Sequence, residues 1–181
     1  MNIPNLSLQV REIKETDIKF ITDYWLSSDP EFLQGIGVDL SKIPSEKDLR
    51  EMLQNQIQTP IEQKRAYCLI WEIDGKAIGH CNTNPTTFGE EAFMHLHIWK
   101  PDHRRNGLGI ELLKKSIAKF FDDLKLERIY SQPFALNPAP NRTLEKAGFT
   151  LVKEYVTTPG SINFEQPVKL WVMEKDNFVF A

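Results

Sequence analysis

Residues 103–115 read HRRNGLGIELLKK: two arginines and two glycines stand directly before an apolar-periodic run. That run takes in Leu108, Leu112, Ile117, Phe120, Phe121 and Leu124 among lysines and acids, the pattern of an amphipathic helix. Such a helix entrance suits a phosphate. First-turn N–H groups have no intrahelical acceptor, the macrodipole makes that end positive, and glycines let an anion come close to the backbone.

Upstream of this helix, AFMHLHIW (92–99) alternates as a strand, behind two strands at about 66–73 and 77–83 joined by an Asp74-Gly75 turn. Counting outward from a two-residue turn pairs Ile73 with Lys76 and sets Cys68 opposite Cys81 as small half-buried thiols. Further upstream, LSLQVREI reads as a strand, and Thr16 is placed to cap a helix carrying Ile18, Ile21, Trp25 and Leu26. From Asp29 to Pro44 glycines and prolines break the periodicity into a long apolar loop, before Ser45 and Asp48 introduce a helix with Leu49, Met52, Leu53 and Ile57.

Downstream, RIYSQPF is a strand and NPAPNRTLEKAGF a short helix that stops at Gly148. Asn137 fits its N-cap, with Pro138 and Pro140 in the first turn, where missing N–H groups do no harm. FTLVKEYV and VKLWVMEK are strands flanking a loop from about 157 to 167. The order β-α-α-β-β-β-α-β-α-β-β is an α/β fold in which antiparallel hairpins surround one β-α-β crossing.

With 181 residues and 41% hydrophobic content, the chain suits one core, so a single domain over 1–181 is expected. The net charge of −3, from 22 basic and 25 acidic side chains, offers no global attraction to nucleic acid or an anionic membrane. No apolar run approaches the roughly 18 residues of a membrane span. MNIPNLSLQV lacks the order of a secretory signal, and a cytoplasmic location is the expectation.

With these residues in place, the chain resembles the GCN5-related N-acetyltransferase (GNAT) superfamily. Its acyl-CoA signature, Q/R-x-x-G-x-G/A between a strand and the long helix, is matched by Arg104, Gly107 and Gly109, with Pro101 at the usual strand-end proline. Asn137 followed by LEKAGF at 144–149 matches the second block, most closely in the branch similar to ribosomal-protein alanine N-acetyltransferases. The resemblance covers roughly residues 6 to 175. It implies a mixed sheet of about seven strands with a V-shaped splay and helices on both faces, and transfer of an acetyl group from acetyl-CoA to a primary amine. The amine would be a peptide or protein N-terminus, or a small amine, and the protein a monomer or homodimer.

Under that resemblance, backbone amides of Arg104, Arg105, Asn106, Gly107, Leu108 and Gly109 would hold the pyrophosphate, the two arginines adding charge. The pantetheine arm would meet backbone near Ile98, Trp99 and Lys100, with Asn137 either capping its helix or touching the arm. The tyrosine that protonates the thiolate in many members is Leu144 here, and the serine of the related branch is Pro140. This departure makes an inactive acyl-CoA-binding sensor the alternative.

Candidate bases are His97 and His95, which share one strand face, and Glu91 at the strand's start; packing is the other role open to the histidines. Phe32, Asp39 and Phe164 lie on loops that line the acceptor pocket in the family, and His80 on the adjoining strand joins them. No metal is expected. A P-loop hydrolase is disfavoured because Ile110-Glu111 follows Gly109 where Lys-Ser/Thr is required.

Overall fold

The computed structural model describes residues 6–103 and 107–180, so Arg104, Arg105 and Asn106 lie outside the described residues. Strands β1 (Leu8–Glu12), β2 (Tyr67–Ile73), β3 (Lys76–Thr87), β4 (Glu91–Ile98), β5 (Arg128–Ser131), β6 (Thr150–Thr157) and β7 (Gln166–Glu174) form one sheet. Their order is β1-β2-β3-β4-β5-β7-β6. All neighbours are antiparallel except β4 and β5, the pair joined through the long helix α4 (Leu108–Leu124).

That parallel pairing runs only from Glu91–Arg128 to Phe93–Tyr130. Beyond it β4 continues to Ile98 while β5 stops, and the next β4 carbonyl, that of Met94, accepts from the Ser131 hydroxyl at 3.0 Å. The two strands part there, which is the expected splay.

Helices cover both faces because their apolar stripes demand it. α4 buries Leu112, Leu113, Ile117, Phe120, Phe121 and Leu124 against Leu69, Trp71, Cys81, Met94 and Ile129, joined by Leu144 of α5 (Pro138–Lys146). On the opposite face, α1 (Ile18–Ser27) and α3 (Glu46–Gln58) bring Ile21, Trp25, Leu53 and Ile57 onto Cys68 and Ile70.

Several expectations are corrected. The 29–44 segment holds a further helix, α2 (Pro30–Gly35), whose N-cap Asp29 accepts from the Glu31 and Phe32 amides at 2.7 and 3.2 Å. Asp followed by Pro is a cap-and-first-residue signal that the Gly/Pro count hid. Thr16 does not cap α1, which is entered through a 3₁₀ turn at Glu15–Asp17. Asp17 organises that entrance, accepting from the Lys14 amide at 2.8 Å and from Arg11 at 2.7 Å. Leu26 is exposed, and Tyr24 is buried in its stead.

The cysteines are not cross-strand partners. After Glu72↔Ala77 the ladder resumes at Trp71↔Gly79, leaving Ile78 as the extra residue of a β-bulge. Everything beyond slips by one and changes face. Cys68 therefore lies opposite Asn82 and joins the α1/α3 side, while Cys81 lies opposite Leu69 and joins the α4 side. The bulge also sets His80 opposite Ile70 on β2 and His97 on β4. Gly79 is obligatory there, since a Cβ would run into the His97 carbonyl oxygen.

Candidate active site

A cleft of about 1500 Å³ runs from the α4 entrance, past the end of β4, to the space between the sheet and α3. Pockets for one small ligand hold about 300–1,000 Å³, so this one has room for a coenzyme arm and an acceptor together. Gly107, Gly109, Ile98 and Asn137 line its coenzyme side.

The two glycines have different causes. Gly107 precedes α4 with φ +74°, left-handed backbone that a Cβ opposes. Gly109 is ordinary helix, and a Cβ there would meet only Ile98 Cδ1 at 3.8 Å. Among the described residues nothing requires glycine at 109, so its smallness fits the approach of an outside group to the first-turn N–H donors. These residues fit a coenzyme A pyrophosphate at the helix entrance. Asn137 accepts from the Ala139 amide at 3.3 Å, a capping contact, while also lining the cleft.

Of the backbone expected to meet the pantetheine arm, Trp99 is corrected: its N–H donates to Ile78 O at 3.0 Å, towards β3. Strand alternation then turns the N–H and C=O of Leu96 and Ile98 towards the splay, as the Met94 carbonyl bonded to Ser131 does. Lys100 lies past the strand end, and its carbonyl accepts from the His103 amide at 3.2 Å.

On the acceptor side, His97 and His80 stack with ring centroids 4.8 Å apart. Tyr24 OH lies 3.1 Å from His97 Nδ1, and Trp25 meets the same imidazole edge-on at 4.9 Å. Trp99 Nε1–H donates to His80 Nδ1 at 2.8 Å, so the neutral ring carries its proton on Nε2. Burial pushes the His80 pKa down to about 3, assisted by His95, leaving it neutral at physiological pH.

His95, two residues back, is also pushed down by burial; its Nε2 bonds the Asn84 carbonyl at 2.9 Å, which fixes that tautomer too. Glu91 is remote from this cluster. It lies six strand residues from His97, about 20 Å at the usual rise. It faces Arg128 at 3.7 Å and lies off the cleft wall.

The two loops that the resemblance assigns to the acceptor pocket are tied to each other by hydrogen bonds. Asn163 and Gln166 both donate to the Gly37 carbonyl at 2.8 Å, and the Asp39 amide donates to Ile162 O at 2.8 Å. Phe32 lines the cleft and packs edge-on against Tyr24 at 6.4 Å. Asp39 does not line it: its carboxylate accepts from the Ser41 amide and hydroxyl, which hold its pKa below the ordinary value. Phe164 packs against Phe134 at 5.8 Å and stands behind the wall. Tyr24 and Gln56 were missed by the sequence reading. The signal for Tyr24 was its place three residues after Ile21, and for Gln56 its place seven after Leu49 on the stripe Leu49-Met52-Leu53-Gln56, all of which lines the cleft.

Among the described residues no group of three His, Cys, Asp or Glu side chains is arranged to hold a metal ion, and no helix is long and apolar enough to cross a membrane.

A glycine-bearing helix entrance, a strand splayed from its neighbour and an aromatic-histidine wall sharing one cleft define an acyl-CoA-dependent transferase. A family model, Acetyltransferase (GNAT) domain, matches residues 7–150, and the chain belongs to that family as an acetyl-CoA-dependent N-acetyltransferase. The fold is similar to spermidine N-acetyltransferase from Vibrio cholerae in complex with CoA and spermine (TM-score 0.76, 20% identity, 94% of this chain and 96% of that one). It is similar to RimL, a ribosomal L7/L12 alpha-N-protein acetyltransferase in complex with coenzyme A (TM-score 0.75, 15% identity, 94% and 96%). Aminoglycoside acetyltransferase AAC(6')-Ib with coenzyme A and kanamycin is a third (TM-score 0.73, 17% identity, 94% and 96%).

Proposed function

We propose that the protein acetylates a primary amine, that of a peptide or protein N-terminus or of a small amine, by direct attack on the thioester, with His97 accepting the amine proton. The carrying observation is that His97, held by Tyr24, lines the cleft that Ile98 and Gly109 also line. The similar structures, solved with spermine, with kanamycin or named for protein α-amines, support an amine acceptor. In the reaction an N–C bond forms, the C–S bond breaks, one amine proton leaves to His97, and the imidazolium gives it up through water as the departing thiolate of coenzyme A is protonated. The backbone N–H turned into the splay at Leu96 is suited to oppose charge developing on the carbonyl oxygen.

An acyl-cysteine route is not supported. Cys68 touches the cleft, but burial pushes both thiols well up from their ordinary pKa, and the nucleophilic thiolate is suppressed. Release of CoA thiol by the purified protein against a panel of primary amines tests the reading. Turnover by wild type and a loss of about 10²-fold or more in kcat for His97→Ala at neutral pH is the expected result. Full activity of His97→Ala would remove His97 from the role.

A further inference from the structure

Among the described residues, no aspartate or glutamate side chain lines the cleft, whereas Lys64, Arg65, Arg142 and Lys146 do. A polycationic acceptor placed there would give up its water shell with no carboxylate to face. Of the carboxylates on the two loops, Asp39 is turned away to Ser41, and neither it nor Glu165 lines the cleft.

The acceptor end is lined instead by amides. Asn82 and Asn84 stand two residues apart on β3, one strand step beyond His80, and Gln56 of α3 lines the same cleft. Among the described residues neither asparagine side chain makes a hydrogen bond, and Gln56 Oε1 is buried without any partner. A buried acceptor atom left so is costly, about 1–3 kcal/mol, and a donor from outside the chain, a peptide N–H included, would relieve it. The spacing of Asn82 and Asn84, about 6.6–6.8 Å, equals the two-residue repeat of an extended peptide.

We infer that the acceptor is the α-amino group of a peptide whose first residues carry no positive charge, laid extended from His97 along the amide row of Asn82, Asn84 and Gln56. This rests on the transferase reading above and narrows its substrate. Amine basicity acts in the same direction. At pH 7.5 an α-amine of pKa about 7.8 is about one third neutral, whereas an alkylamine near 10.4 is neutral in about one molecule per thousand. A site with no carboxylate to hold an ammonium therefore selects the amine that arrives already deprotonated.

The test uses the full-length protein and acetyl-CoA, with peptide amides Ser-Ala-Ala-Ala, Ser-Ala-Glu-Ala and Ser-Lys-Lys-Ala, and with spermidine and kanamycin. Expected kcat/KM is about tenfold or more higher for the first two peptides than for the dilysine peptide, and about 100-fold or more higher than for the polycations. Gln56→Leu should raise peptide KM with kcat little changed, the mark of lost uniform binding. Asn82→Asp should shift the ratio towards the dilysine peptide and spermidine.

Spermidine or kanamycin as the best acceptor, or insensitivity of the ratio to Asn82→Asp, would overturn the proposal. So would silence of all three peptides while another amine releases CoA thiol, a result that leaves the transferase reading standing. Failure to bind acetyl-CoA by calorimetry, or absence of turnover with every amine, would instead strike the transferase reading, and the proposal with it.

Discussion

His97 is one of four histidines between residues 80 and 103, and what separates it from its neighbours is its contacts. His80 has its Nδ1 occupied by Trp99, and His95 has its Nε2 on the Asn84 carbonyl, so both are neutral hydrogen-bonding members of the wall. His97 differs in meeting Tyr24 OH at Nδ1, and in the proposed reaction it is the base. Tyr24 is on this account a positioning residue. Tyr24→Phe should lower kcat and move the acidic limb of the pH–rate profile, which in His97→Ala should vanish from the range of about 6–7 where imidazoles ionise. A purely structural Tyr24 would lower activity without moving the limb. His80 gives a separate prediction. Its folded pKa lies below its unfolded one, so the unfolded chain binds more protons between about 6.5 and about 3, and stability falls as pH is lowered through that window. The slope from one such group is at most about 1.4 kcal/mol per pH unit. Urea unfolding at pH 7.5, 6 and 5 should show a shallower acid loss in His80→Gln than in wild type, and equal slopes would mean that burial of His80 does not govern the loss.

At the scale of elements, the coenzyme and acceptor ends are separable. Gly109→Asp places a carboxylate in the first turn of α4, where among the described residues a Cβ meets only Ile98 Cδ1 at an ordinary 3.8 Å, so the fold should persist while acetyl-CoA affinity is lost. Calorimetry together with a thermal melt checks it, and retained affinity in a native protein would take the phosphate away from this turn. The α4 entrance was legible in sequence because its signal is local: glycines, arginines and a 3.6-residue stripe within one stretch of chain. The β2-β3 register was not. An Asp-Gly turn predicts a regular ladder, but a bulge at Ile78 is decided by what the strands pack against several residues away, and the slip moved Cys68 and Cys81 to opposite faces. The three-histidine face suffered the same limit, since alternation placed His95 and His97 together while only the register could bring His80 against His97.

Over the whole molecule, the acceptor wall is made by segments more than 120 residues apart in sequence. The stretch after α2 and the loop between β6 and β7 carry little periodicity, which is why sequence offered Phe32, Asp39 and Phe164 and only the first lines the cleft. What joins the segments is polar. The Gly37 carbonyl accepts from both Asn163 and Gln166, Lys42 Nζ donates to Asn163 O at 2.8 Å, and Val38 bridges Asn163. Gly37, at φ +91°, leaves no room for a Cβ against the Gln166 amide, so the two segments dock through backbone. Because this tie lies on the acceptor side and away from the α4 entrance, loosening it should act on one ligand alone. Asn163→Ala removes the exchange with Gly37 while Gln166 still satisfies that carbonyl, so the protein should fold, with a stability loss of about 1 kcal/mol. Its acceptor KM should rise severalfold, its acetyl-CoA affinity should match wild type, and its kcat at saturating acceptor should change little, since His97 and Tyr24 are held by α1 and β4. Steady-state kinetics with acceptor varied at saturating acetyl-CoA, alongside calorimetry for the coenzyme, measures all three; an equal loss of affinity for both ligands would mean that the wall supports the whole cleft and not the acceptor end.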